Sequence, residues 1–360
     1  MAMLLAPASV SAQAAGAPPR QSAPSGPRWE VEGHGGLSRG TAGSDGSPAL
    51  PAAGAPIPSL SPLYPSRRTA SWFFGDGAAM LNSVNAEFGV GARITPLDAA
   101  MQSLGLDYTS AAVLGVRVRR VLTDRWSAEI SVDLLPGSGE ISQEFLTAVE
   151  ESRRTFESAF RGLFDSGPFD AVNVFTLLDS SGGSARELAL TGAVNWHFGS
   201  GGGFVPYLTF GGGMISGLGS LSSVELEGSY EFVVFPAPDV RFHETDRVRL
   251  RFERSATLAG LAGAGVRRNV SDRWGFKIDG RVLIGRENSR LLIDAAPVVD
   301  LRAAGDYFEM ETNPNIQFSN DPATGRVSTL SEPPLAGFVA FKGTGIQTRV
   351  LISGGVFIRF

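Results

Sequence analysis

The sequence predicts an all-β fold, an eight-stranded antiparallel transmembrane β-barrel with long outer loops. Three observations predict it. The last twelve residues, Arg349 to Phe360, alternate in polarity and end on an aromatic ring. Seven earlier segments read as strands, five of them alternating in the same way, and most are near the roughly 9–11 residues that cross a bilayer at a tilt. The connections between them alternate between short and long, as they do between the two sides of a membrane barrel.

Composition narrows the alternatives. The chain has 360 residues with no Cys, which excludes a disulfide scaffold, a zinc–thiolate site and a lipid-modified cysteine. A net charge of −5 argues against a nucleic-acid partner, which draws a basic stripe. No apolar run approaches the roughly 20 residues of a membrane helix. The 45 glycines are well above an average share of about 7%.

The elements follow in chain order. Met1 to Val10 is a short apolar stretch, and Ser11-Ala12-Gln13-Ala14-Ala15 after it has the small residues of a signal-peptide cleavage site, although no Lys or Arg precedes the run. Residues 1–14 are therefore expected to be a signal-peptide remnant, 15–28 a periplasmic segment and 29–360 the barrel, in a protein exported through a cleaved signal peptide to the outer membrane.

The first segment, Trp29 to Gly35, sets Trp29, Val31 and Gly33 against Glu30, Glu32 and His34. In the second, Tyr108 to Arg120, Ala112, Leu114, Val116 and Val118 oppose Val113, Gly115, Arg117 and Arg119. The third, Trp126 to Leu134, sets Trp126, Ile130 and Val132 against Ser127, Glu129, Ser131 and Asp133. The fourth, Glu187 to Phe198, sets Leu188, Leu190, Val194 and Trp196 against Glu187, Thr191, Asn195 and His197. The fifth, Phe204 to Met214, is ambiguous in its facing, and the sixth, Ser255 to Arg267, is small and apolar. The seventh, Trp274 to Ile284, opposes Trp274, Phe276, Ile278, Val282 and Ile284 to Lys277, Asp279 and Arg281. The eighth ends the chain.

Loops are expected at about 37–107, 136–186, 217–254 and 286–345. Arg119-Arg120-Val121-Leu122-Thr123-Asp124-Arg125-Trp126 matches Arg267-Arg268-Asn269-Val270-Ser271-Asp272-Arg273-Trp274, each reading as a tight turn with Arg at headgroup level and Trp as an anchor. Trp29, Trp126, Trp196, Trp274 and Phe360 are the expected interface aromatics.

With the terminal Phe360, these segments resemble the outer-membrane β-barrel superfamily, the OmpA/OmpX/OmpW-like eight-stranded barrels. The resemblance covers roughly 29–36, 108–135, 187–216, 255–285 and 348–360. It implies outer-membrane lipid as surroundings and barrel-assembly machinery as a partner through the strand ending at Phe360. Its motifs are architectural and say little about activity.

An eight-stranded barrel is just wide enough to be filled by its own side chains. The inward charges expected to fill it are Glu30, Glu32, Arg117, Arg119, Glu129, Asp133, Glu187, Lys277, Asp279, Arg281 and Arg349. They make either a closed salt-bridged core or the lining of a narrow pore.

The first loop begins with a Gly/Ser/Pro/Ala tract through Pro65, a flexible arm. The aromatic run Ser71 to Gly77 follows, then an alternating piece at Ala86 to Ile94 and a short helix capped by Thr95 with Pro96 in its first turn. The second loop carries an amphipathic helix at about 141–164, with Phe145, Val149, Phe156, Phe160 and Leu163 at helical spacing. It either lies over the barrel mouth or outer leaflet, or binds a partner. Glu225 to Phe235 and Arg247 to Arg254 are expected to extend the fifth and sixth strands as a hairpin. Tyr307 to Gln317 and Gly337 to Phe341 do the same before the eighth.

Of the three histidines, His34, His197 and His243, none has a catalytic motif around it. No calcium-loop spacing and no phosphate loop is present. The expectation is a monomeric, non-enzymatic scaffold without cofactor that displays its loops. A narrow pore or a transporter of small or hydrophobic molecules is the alternative, and a lipid-modifying enzyme comes third.

Overall fold

A computed structural model describes residues 29–41, 45–54, 69–136, 139–166, 169–181, 186–199, 203–218, 222–234, 237–295, 298–303, 315–321, 325–331 and 336–360. The signal-peptide segment, much of the Gly/Ser/Pro/Ala tract, Tyr307 and the side chain of His243 lie outside them.

The principal elements are β1 (Trp29–Thr41), α1 (Gly75–Glu87), β2 (Ser110–Val121), β3 (Trp126–Pro136), α2 (Gln143–Ser166), β4 (Phe169–Ser181), β5 (Arg186–His197), β6 (Phe204–Leu218), β7 (Ser223–Val234), β8 (Ala237–Arg254), β9 (Thr257–Asn269), β10 (Trp274–Ala295), β11 (Val298–Ala303) and β12 (Phe338–Arg359). Among the described residues no helix is long and apolar enough to cross a membrane.

All ladder pairings are antiparallel. They run from β12 to β1, β2, β3, β5, β6, β9 and β10, and β10 pairs back with β12, so this part of the sheet closes on itself. The continuous sheet nevertheless holds thirteen strands, not the eight expected. The additional ones are β4, β7, β8, β11 and the short strand Gly46–Pro48.

The extra strands arise because β10 and β12 are 22 residues long, about twice a membrane crossing. They pair from Trp274 opposite Ile358 out to Ile293 opposite Phe338. Below, β10 is joined to β9 from Gly275 to Gly285. Above, its Ser289–Ala295 stretch takes β8 as neighbour instead. β7 joins β8, and β4 joins β7. Glu225 to Val234 and Arg247 to Arg254 thus form a hairpin as expected, Phe235 lying outside the described residues, but the hairpin flanks Ser289–Ala295, the continuation of the seventh predicted strand, rather than prolonging the fifth and sixth.

The helices close one face of this outer sheet. α2 has its apolar stripe at the predicted spacing, and it packs on β4 and β7. Phe160 stacks on Tyr230 of β7 with ring centroids 4.3 Å apart, and Phe156 stacks on Phe73 at 4.8 Å. The result is an outer domain with its own apolar core. Ala86 to Ile94 is not a strand. α1 runs through Glu87, and the chain turns at Gly89, whose φ of 71° suits a residue without a Cβ. The helix expected after Pro96 is a single 3₁₀ segment, Leu97–Gln102.

The closed circuit is made of two like halves. The turns at 122–126 and 270–274 have the same bonds: Leu122 N and Thr123 N donate to Trp126 O, and Val270 N and Ser271 N donate to Trp274 O. In register, Trp29 of β1 faces Arg120 of β2, and Phe204 of β6 faces Arg268 of β9. The closing strands match as well, Thr191-Gly192-Ala193-Val194 followed by Phe198 against Ser353-Gly354-Gly355-Val356 followed by Phe360.

Candidate functional site

Period-two alternation decides what enters the lumen, because consecutive strand residues face opposite sides. The outward set is apolar and open, with Leu258 79% and Ile352 62% exposed. Trp29, Trp126 and Trp274 stand exposed at the end that carries the short turns, with Phe360 beside them, and Trp196 is half-buried against Trp126. The inward set contains all eleven charged residues expected there, and each is buried.

The structure arranges them in layers. At the end with the short turns, Glu30 pairs with Arg119, with Arg267 at 2.7 Å and with Arg359 at 2.9 Å. All three guanidinium groups surround the ring of Phe357, the Arg267 carbon 4.6 Å from its centroid. The next layer is the densest. Glu129 meets Arg281 at 2.7 Å and Lys277 at 3.1 Å. Glu32 meets Lys277 at 2.5 Å and Arg117 at 3.2 Å. Asp279 accepts from Arg117 at 2.8 Å, from the Tyr207 hydroxyl at 2.8 Å and from the Ser353 hydroxyl at 2.8 Å. Asp133 lies 2.5 Å from His34 Nε2 and accepts from Ser131 Oγ at 2.7 Å.

Above these charges the lumen is apolar. Val113, Leu135, Ala189, Ile215, Leu261, Leu283 and Leu351 are packed together. On β12, Leu351 sits two residues from Ser353 on one side and from Arg349 on the other, a step of roughly 7 Å each way. A second charged cluster lies beyond. Glu187 pairs with Arg254 and, at 2.5 Å, with Arg349. Glu287 lies 3.2 Å from Arg254 and accepts from the Tyr108 hydroxyl at 2.5 Å. The expected charges therefore form two networks, with Glu187 and Arg349 cut off from the other nine by the apolar layer.

Pairing at this density follows from burial. An unpaired charge out of water costs several kcal/mol, so charges persist inside only where their partners are built in. Sequence reading missed several members. Arg267 was placed at headgroup level because it precedes a turn, yet its strand register turns it inward. Tyr207 lay in the segment of ambiguous facing. Arg254 and Glu287 fell at the predicted loop ends, where no alternation marked them, and Tyr108 stood at the first position of the second predicted strand without being read as inward.

One seam of the circuit is incomplete. The β2–β3 ladder ends at Leu114 opposite Leu134. Yet β2 stays paired with β1 out to Ser110, and β3 with β5 out to Pro136. Val113 and Leu135, both from the apolar layer, line the place where the two strands part.

In the outer domain, Asp246 of β8 is wholly buried. Its Oδ2 accepts from Ser71 Oγ at 2.9 Å and from Trp72 N at 3.0 Å, tying the segment before α1 to the sheet. Burial pushes its carboxyl up to about 7 against the lowering effect of these hydrogen bonds.

No protein-family model matches the chain, and no curated protein matches it in sequence. Among solved structures it is similar to the outer membrane protein OprG from Pseudomonas aeruginosa, at 9% identity over 91% of this chain and 99% of that one, with a TM-score of 0.30. It is also similar to the outer membrane protease OmpT from Escherichia coli, at 10% identity over 92% and 97%, TM-score 0.24. The deltaS2S3 mutant of the TodX monoaromatic hydrocarbon channel follows at 9% identity over 94% and 91%, TM-score 0.21. Likeness at this level is loose, and the barrel is shown by the chain's own strand pairings.

Proposed function

We propose that the chain is an outer-membrane β-barrel whose closed eight-strand circuit crosses the membrane and whose lumen is shut, so that its role is to hold the outer domain at the cell surface as a structural or interaction scaffold. The observation that carries this reading is the pair of buried ion networks with an apolar layer between them. Arg117, Lys277 and Arg349 are each at most 2% exposed, so charge and packing occupy the space a pore would need. The short turns and both ends of the circuit lie on one side, which is the periplasmic side in barrels of this kind. β12, with Phe360 just after it, is the strand that assembly machinery would recognise.

Planar-bilayer recording of the refolded full chain tests the closed lumen. No steady single-channel current is expected, and a stable conductance overturns the scaffold reading.

A second reading has one specific observation in its favour, the parting of β2 from β3 beside the apolar layer. A small apolar solute entering under the outer domain would reach Val113 and Leu135 and leave sideways into lipid. In that case the wild-type chain speeds uptake of an apolar solute into proteoliposomes and Leu135→Arg abolishes the gain. Equal uptake with and without the protein removes this reading.

A further inference from the structure

The two like halves of the circuit place the same groups at two opposite corners of the rim that carries the short turns. In the first corner the Arg120 guanidinium carbon lies 5.4 Å from the centroid of the Trp29 ring. In the second, that of Arg268 lies 5.1 Å from the centroid of the Phe204 ring.

Each arginine leads into a turn built the same way. Thr123 Oγ1 accepts from Arg125 N at 3.3 Å and Trp126 N at 3.1 Å, and Ser271 Oγ accepts from Arg273 N at 3.2 Å and Trp274 N at 3.3 Å. The backbone of each turn is also pinned to the next strand: Arg125 O accepts from His197 N, and Arg273 O accepts from Arg359 N, both at 2.8 Å. Each turn therefore carries a second exposed arginine, Arg125 or Arg273, five residues after the first.

These four arginines differ from those of the lumen. Arg120, Arg125, Arg268 and Arg273 are all exposed, and among the described residues none meets a carboxylate at ion-pair distance. The stretches 120–125 and 268–273 each carry two guanidinium groups against one carboxylate, Asp124 or Asp272, a net positive charge within each stretch. The ring under the first arginine belongs to the aromatic belt, which sits at headgroup level. Immediately toward the bilayer the wall is apolar: Val31 is paired with Val118 in one corner and Pro206 with Val266 in the other.

A planar guanidinium binds a phosphate through two parallel hydrogen bonds, and its attraction for the anion grows at the edge of a low-dielectric phase. We infer that each corner holds one anionic phospholipid of the periplasmic leaflet, its phosphodiester on the arginine pair and an acyl chain along the apolar wall below. The barrel thus carries two such lipids. This rests on the membrane-barrel reading. The net positive charge of each corner selects an anionic headgroup over a zwitterionic one, whose own amine offsets the phosphate.

Native mass spectrometry of the refolded full chain, supplied in detergent with phosphatidylglycerol or with phosphatidylcholine, tests the sites. Two phosphatidylglycerol molecules are expected to stay bound. The count falls to one in Arg120→Ala/Arg125→Ala, to one in Arg268→Ala/Arg273→Ala and to none when all four are replaced. Phosphatidylcholine is expected to be lost. Equal retention of the two lipids, or unchanged retention in the fourfold variant, overturns the inference. Heat-modifiable gel migration of the same samples reads barrel folding separately. A wild-type chain that folds and holds no phosphatidylglycerol removes the lipid sites and leaves the barrel standing, whereas one that stays soluble without detergent removes both.

Discussion

Inside the strand circuit, Arg117, Lys277 and Arg281 are buried against Glu32, Glu129 and Asp279. Inside the outer domain, Phe73, Phe156 and Phe160 are buried against Tyr230 and Leu226. One chain thus has two interiors of opposite chemistry. The circuit gives its apolar side chains to its outer wall, so its inner faces take the polar half of each alternation and must satisfy every charge internally. The outer domain keeps its apolar residues inside, as a body surrounded by water does, and is held by their removal from water. Its exposed face is a ladder of surface charges such as Arg247 with Glu227, which contributes little to stability.

The contrast can be broken most sharply at Glu129. Glu129→Ala leaves Lys277 and Arg281 buried without their shared carboxylate, and the expected loss is about 5 kcal/mol, the upper end for a broken buried pair. The urea midpoint of the heat-modifiable gel shift reads it. An unmoved midpoint would mean that the network does not hold the barrel.

Phe156→Ala is the counterpart in the apolar interior, at a cost of about 4 kcal/mol for the lost ring and its cavity. Protease cleavage in the outer domain should accelerate strongly while the gel shift of the barrel stays the same. If both are lost together, the two interiors form one cooperative unit.

The pH response separates the interiors by a few kcal/mol at most. The folded carboxyl of Asp246, pushed up to about 7, holds its proton more tightly than in the unfolded chain, where it titrates near 4. The folded form therefore binds more protons between those values, and the outer domain loses stability as pH rises from about 4 to about 7. Below that window the contribution is complete, and above it the loss is complete. Asp246→Asn, which keeps an acceptor for Ser71 and Trp72, should flatten the dependence. Protease resistance of the outer domain between pH 4.5 and pH 8, compared for the two proteins, decides the matter. An equally steep profile in the variant would assign the response to another group.

Much of the circuit could be read from residue order. Ser127, Glu129, Ser131 and Asp133 face inward because Ile130 and Val132 between them face out, and no tertiary knowledge is needed to see it. The same rule failed where both faces have one polarity. Phe204 to Met214 is mostly apolar or glycine on either side, with Thr209 its one plainly polar residue, and the pairing of Tyr207 with His197 shows which way it turns. After Ile284 the chain reads Gly-Arg-Glu-Asn-Ser-Arg, polar on both sides, so the strand was ended there. In the structure it continues, because at that height it leaves the apolar wall and takes β8 as a neighbour. α1 was missed for a related reason. Its Asp76, Ala78, Leu81 and Asn85 are buried around much of its circumference, so no stripe marks it. The likeness of the two halves is plainest at the turns, since most of the strands share a pattern of facing more than a set of residues.

The sequence by itself determined which side chains of each strand face outward and which face the lumen, because alternation is a property of the extended backbone. It also determined the tight turns and the apolar stripe of α2, because these depend on neighbours a few residues away. Only the tertiary structure decided that the charges divide into two networks around an apolar layer, that Arg267 joins the inner one, and that five more strands build a second interior above the first. Those outcomes depend on which strands lie side by side and in what register, and that is settled by contacts between residues far apart in the chain.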